Sequence, residues 1–172
     1  MMRDTGSASR AAAESTFHAL LRTFGLLRQV MGPYFAPHRI SGSQWGILRA
    51  LQRARAEGQP EPRVTELGQR LLIRPASVTG AVDRLERQGL VQRSASKEDR
   101  RVRRVRLTSQ GRKLVARVLK GHAAQIESLF TGLTPRELDD LAASLQRLER
   151  HWRILAGRQP AAGRQRRESA SG

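Results

Sequence analysis

A chain of 172 residues with 32 Lys+Arg against 15 Asp+Glu has a formal charge of +17. That length makes one domain, or one domain with a protruding oligomerisation element, and the charge calls for an acidic partner: nucleic acid or an anionic membrane surface. With no cysteine, disulfides, thiolate catalysis and thiol redox sensing are excluded; the first residues lack the apolar core of a secretory signal and no apolar run approaches the roughly 18 residues of a membrane span, so the expected location is the cytoplasm and no membrane is expected as partner.

Residues 1–13 are small and polar and read as a disordered tail. From Glu14, the positions Phe17, Leu20, Leu21, Phe24, Leu27 and Met31 follow the three-four spacing of one helix face, and Gly32-Pro33 is expected to end it. Ser41 followed by Gln44 is a capping box opening a helix with Trp45, Leu48 and Leu51 inward, closed near Gly58-Gln59-Pro60. A third helix follows Pro62, with Val64, Leu67, Leu71 and Leu72 expected inward. A fourth opens on Pro75, a good first-turn residue, buries Val78, Ala81, Val82 and Leu85, and stops at Gly89. Only Ile73-Arg74 separates these two helices, so the chain must turn sharply there, as in a helix-turn-helix.

Residues 90–93 are short and β-compatible. A polar loop, Ser94 to Glu98, separates them from a second short stretch in which Val105 and Leu107 alternate with Arg104 and Arg106. Thr108 is an N-cap for a long helix carrying Leu114, Val115, Val118, Leu119, His122, Ile126 and Leu129. Thr134, Pro135 and Glu137 form the start of a last helix, with Leu141, Leu145, Leu148, Trp152 and Leu155 in period. Residues 157–172, rich in Gly, Arg and Ser, read as a disordered basic tail.

Charge is concentrated rather than spread. Residues 63–117 hold 15 Lys+Arg and 5 Asp+Glu, a net of +10. On the fourth helix, the face opposite the apolar one carries Ser77, Gly80, Arg84 and Arg87, with Thr79 beside them and Arg74 just ahead of the helix. Short side chains allow close approach to base edges, and Arg reads guanine best. On the hairpin, Ser96, Lys97 and Arg100 are candidates for phosphate or minor-groove contact. These features point to double-stranded DNA. The four histidines show no i, i+4 pairing, so no metal is expected; no phosphate loop, nucleophile elbow or HExxH motif is present, so no cofactor and no enzyme is expected either.

The stretch from Leu67 through Val82-Asp83-Arg84-Leu85 and Gly89-Leu90-Val91 to Asp99-Arg100-Arg101 and Leu107-Thr108-Ser109-Gln110-Gly111 resembles the MarR-type winged helix-turn-helix transcription regulators. The resemblance covers roughly residues 14–156. It implies a mainly α fold with a small β-hairpin wing: a winged helix-turn-helix over 41–108, flanked by dimerisation helices over 14–40 and 109–156. It further implies a homodimer that represses transcription from a pseudo-palindromic operator. In the family, an Asp of the recognition helix pairs with an Arg of the wing, which here match Asp83 and Arg101. Many relatives are released from DNA by a small aromatic or phenolic acid. Candidates for that pocket are Phe24, Arg28, Tyr34, His38 and Trp45, with ordinary packing as the competing reading for each. A sequence-indifferent architectural DNA binder and an RNA-binding winged helix are the alternatives.

Overall fold

A computed structural model describes residues 5–72, 74–95 and 103–158. Six α-helices and one hairpin follow in the order α1 (Thr5–Phe35), α2 (Gly42–Ala56), α3 (Val64–Leu71), α4 (Pro75–Arg87), β1 (Val91–Ala95), β2 (Arg103–Leu107), α5 (Ser109–Leu129) and α6 (Pro135–Arg158). A short 3-10 turn, Ala36–His38, joins α1 to α2. The chain divides into two compact units, residues 1–123 and 124–172.

The first unit is organised around one apolar cluster. Ile47, Leu48 and Leu51 of α2 meet Leu67 of α3, Val78, Val82 and Leu85 of α4, Val91 and Val105 of the hairpin and Val115 and Val118 of α5. Each comes from an apolar stripe at helical or strand period, and the fully buried side chains are mostly these. In the second unit, α6 carries Leu141, Leu145, Trp152 and Leu155 on a stripe open to solvent. Its start has the anticipated chemistry: the Thr134 amide and hydroxyl both donate to Glu137, and Thr134 Oγ1 accepts from the Glu137 amide. No helix among the described residues is long and apolar enough to cross a membrane.

Four sequence expectations are corrected. Residues expected as a tail are helical from Thr5 onward; the run Ala11-Ala12-Ala13 has the highest helix propensity available, and Arg10 pairs with Glu14 one turn on. α1 passes through Gly32-Pro33 and ends at Phe35, because a proline this near the end breaks few carbonyl–amide bonds and Phe35 gains burial in the core. Leu72, expected inward, adopts a left-handed backbone (φ 53°) and is 66% exposed. The tight turn between α3 and α4 needs that conformation, and it swings the side chain away from the core. The strand expected to stop at Arg93 runs on to Ala95, because Ser94 pairs with Arg104 and Ala95 with Arg103.

The junction between hairpin and α5 is closely packed at Gly111. Gly89 takes φ 69° to turn the chain out of α4. Thr108 donates from Oγ1 to the Gly89 carbonyl at 2.6 Å and accepts from the Gly111 amide at 3.0 Å, capping α5 onto the end of α4. A Cβ added at Gly111 would lie 2.0 Å from the Leu90 carbonyl oxygen, a backbone atom with nowhere to go. Gly111→Ala is therefore expected to lower unfolding stability by about 1–3 kcal/mol, measured by urea denaturation; an unchanged midpoint would show that the backbone relaxes freely there.

Candidate nucleic-acid interface

The candidate recognition surface is built on α4. Burial of Val78, Ala81, Val82 and Leu85 fixes its rotation, so Arg74, Ser77, Thr79, Arg84 and Arg87 face solvent. Arg74 is the N-cap residue and Pro75 opens the first turn. Thr79 returns its hydroxyl to the Pro75 carbonyl at 3.1 Å, which uses its one side-chain donor and leaves only acceptor capacity. Gly80 is half-buried, and the Arg84 guanidinium lies over it: a Cβ at Gly80 would sit 3.7 Å from Arg84 Nη1. Among the described residues Arg74, Arg84 and Arg87 make no ion pair. Their charge is free for an anionic partner.

The hairpin is antiparallel, with Val91 opposite Leu107 and Arg93 opposite Val105. Val91, Val105 and Leu107 point into the core, and Arg104 and Arg106 alternate with them as the sequence implies. Arg104 does not reach outward: its Nη1 donates to the Glu61 carbonyl at 2.7 Å. The Pro62 carbonyl accepts from the Val105 amide at 2.9 Å, and Arg63 bridges to Arg104, so the loop before α3 acts as a third, minimal strand. Ser96, Lys97, Arg100 and Arg101 lie outside the described residues.

Asp83 has a partner that sequence reasoning did not name. Arg93 Nη2 donates to Asp83 Oδ1 at 2.6 Å, while Nη1 bonds Glu86 Oε2 and the Arg93 amide donates to Glu86 Oε1 at 3.0 Å. Burial works against the charge on Arg93, but hydrogen bonds and attraction from Asp83 and Glu86 more than offset it and raise its pKa above the ordinary value. Arg93 is thus a fixed cation bonded to both carboxylates of α4. The pairing of Asp83 with Arg101 falls outside the described residues. A signal was present in the sequence: Asp83 and Glu86 lie three apart on one helix face, and Arg93 comes four residues after the Gly89 stop. The density of arginines in the hairpin hides which of them answers it.

The five candidate ligand residues separate. Tyr34, His38 and Trp45 join Phe35 and His122 in one aromatic cluster, with Tyr34 5.7 Å from His122, Trp45 5.1 Å from His122 and Tyr34 6.3 Å from His38 between ring centroids. The Tyr34 hydroxyl donates to the Val118 carbonyl at 2.6 Å. Phe24 is 60% exposed and Arg28 is exposed; Phe24 lies ten residues up α1 from Tyr34, about 15 Å along the helix axis. Trp45 is buried in the core, as the packing reading has it. No group of His, Asp and Glu among the described residues could hold a metal ion.

Two antiparallel strands returning behind a helix-turn-helix, with free arginines on the second helix, define a winged helix-turn-helix protein. The profile of the MarR family matches residues 40–102. Among curated proteins, the chain is 26% identical over 132 residues to the HTH-type transcriptional regulator MhqR of Bacillus subtilis, covering 77% of this chain and 88% of that one. It is 32% identical over 113 residues to the HTH-type transcriptional repressor YetL of the same organism, covering 66% of each. Among solved structures, the Staphylococcus aureus MepR–DNA complex superimposes with a TM-score of 0.69 at 20% identity, covering 81% of this chain and 98% of that one. Bordetella bronchiseptica BpsR, whose DNA binding is regulated by 6-hydroxynicotinic acid, gives 0.69 at 24%, covering 78% and 98%. The chain belongs to the MarR family.

Two predictions rest on this geometry. Arg93 is about one fifth exposed and its partners more so, so solvent screens the pair; a double-mutant cycle of Arg93→Met with Asp83→Asn is expected to give a coupling of about 1 kcal/mol in unfolding stability, and additivity would remove the clamp. The second concerns His122. Its Nε2 accepts from Trp45 Nε1 at 3.3 Å and its buried Nδ1 has no partner among the described residues. Burial first, then the charge of Arg49, lowers its pKa from the ordinary 6.5. The unfolded chain therefore takes up a proton near 6.5 that the folded chain refuses until lower pH, and stability falls as pH drops through that window. The stability advantage of the wild type over His122→Phe should narrow from pH 7 to pH 5 in urea denaturation; a constant gap would mean that His122 titrates alike in both states.

Proposed function

We propose that this chain is a dimeric, sequence-specific DNA-binding repressor of transcription acting on a pseudo-palindromic operator in the cytoplasm. The observation that carries the reading is the solvent face of α4. Its two carboxylates are both held by Arg93, and among the described residues Arg74, Arg84 and Arg87 make no ion pair around Ser77 and Gly80. A helix of that kind fits the major groove, with Arg84 and Arg87 toward base edges and Arg74 toward phosphate. Ser96, Lys97, Arg100 and Arg101 on the wing serve the backbone and minor groove, and Arg101 joins Asp83 in orienting the wing.

The dimer reading rests on unsatisfied apolar surface. In the single chain Phe17, Leu21, Phe24 and Leu27 of α1 are between 43% and 60% exposed, and Leu141, Leu145, Trp152 and Leu155 of α6 between 40% and 47%. Stripes of that size call for cover, and a second copy supplies it under two-fold symmetry. Two recognition helices then address two half-sites of one operator. The DNA complex of MepR and the regulator and repressor names of MhqR and YetL support this reading. BpsR supports a small aromatic acid as effector; here Tyr34, His38 and Trp45 are its candidate contacts, with Phe24 and Arg28 reached only through the dimer.

The test is a pair of titrations at fixed salt, against the duplex around the chain's own gene and against random duplex. A regulator shows a large affinity ratio, whereas a ratio near one indicates an architectural binder and preference for structured RNA an RNA-binding protein. Arg84→Ala is expected to cost about 1–3 kcal/mol at one base position and to relax preference there; an equal loss on all sequences would assign Arg84 to the backbone instead.

A further inference from the structure

The outward face of α4 carries an uncharged strip between its arginines. Ala76, Thr79 and Gly80 stand three and four residues apart, on one side of the helix and away from buried Val78, Val82 and Leu85. Ala76 and Thr79 are exposed and Gly80 is half-buried. Arg74 precedes the strip, and Arg84 and Arg87 follow it. Arg84 leans back toward Gly80, with Nη1 3.7 Å from where a Cβ would stand. The carboxylate of Asp83, one turn past Thr79, is turned to Arg93 Nη2 at 2.6 Å.

The strip is short of donors. Ala76 and Gly80 have no polar side chain, and the Thr79 hydroxyl gives its one proton to the Pro75 carbonyl at 3.1 Å. That bond also sets the side-chain rotamer. With Oγ1 against the preceding turn, the methyl takes a staggered position away from that carbonyl and, on an exposed residue, meets solvent. What α4 offers between its arginines is therefore the methyl groups of Ala76 and Thr79 and a notch at Gly80. In the major groove the apolar group on the base edges is the C5 methyl of thymine, and the methyls of Ala and Thr are among the side-chain groups suited to it.

From this we propose that Thr79 is a specificity-determining residue: its methyl, with Ala76 beside it, packs on the C5 methyl of one thymine in each half-site, and its hydroxyl takes no part in recognition. The proposal rests on α4 being the helix that enters the major groove. A polar role for Thr79 as a donor to a phosphate or base must first break the bond to Pro75, whereas the methyl is presented without rearrangement. Burying one methyl group is worth about fourfold in affinity. Thr79 thus adds a modest preference at one base position, beside the larger discrimination an arginine supplies on guanine.

The test starts with selection of bound duplexes from a random library at fixed salt, which gives the preferred site. Each thymine of that site is then replaced singly by deoxyuridine, which removes only the C5 methyl, and affinities are measured by fluorescence anisotropy. With the unaltered chain, replacing one particular thymine in a half-site is expected to weaken binding by about fourfold. Thr79→Val keeps a methyl and should keep that thymine-over-uracil ratio; Thr79→Ser keeps the hydroxyl and should bring the ratio to about one. Indifference to every uracil overturns the proposal, as does a preferred site without thymine. So does the reverse pattern, in which Thr79→Ser keeps the ratio and Thr79→Val lowers affinity on all sequences, since that places the hydroxyl on a phosphate. A library that yields no preferred site overturns the sequence-specific reading, and the role of Thr79 with it; a preferred site blind to uracil leaves that reading standing.

Discussion

Arg93 holds the hairpin to the recognition helix. One guanidinium reaches two carboxylates, Asp83 and Glu86, and its own amide adds a third bond to Glu86. The consequence is both geometric and electrostatic. The start of the wing is fixed relative to α4 within a turn of the groups that would meet DNA. The same pair of bonds offsets one of the two negative charges that would otherwise repel a phosphate backbone.

Two further attachments complete the wing's footing. The loop before α3 is tied to β2 through the Pro62 carbonyl, the Glu61 carbonyl and Arg104. On the far side, Thr108 closes the return of β2 against Gly89 while capping α5. The hairpin is thus bonded to α4, to the α2–α3 loop and to α5.

Much of this was legible in the chain itself. The capping boxes at Ser41 and Thr134, the proline at the first turn of α4, the glycine stop at Gly89 and the N-cap at Thr108 are local signals, and each stands where expected. They are legible because a cap is satisfied by residues three or four apart. The apolar set of α4 was equally clear, since period alone decides which face is buried. Less was legible where competition decides. Leu72 is apolar and in period, yet the left-handed turn overrides its preference. Phe17, Leu21 and Phe24 look like core residues and lie in the open, because no other element of their unit covers them.

By itself, then, the sequence determined the order and type of the elements, the rotation of α4 and the concentration of positive charge over residues 63–117, because these follow from periodicity, capping and composition along short stretches. Only the tertiary structure decided that Arg93 answers both Asp83 and Glu86, and that Arg104 turns one donor back onto the Glu61 carbonyl. The physical reason is that arginines are chemically identical along the chain. Their roles are set by which acceptor the packed core brings within reach, and that is fixed by contacts between residues far apart in sequence.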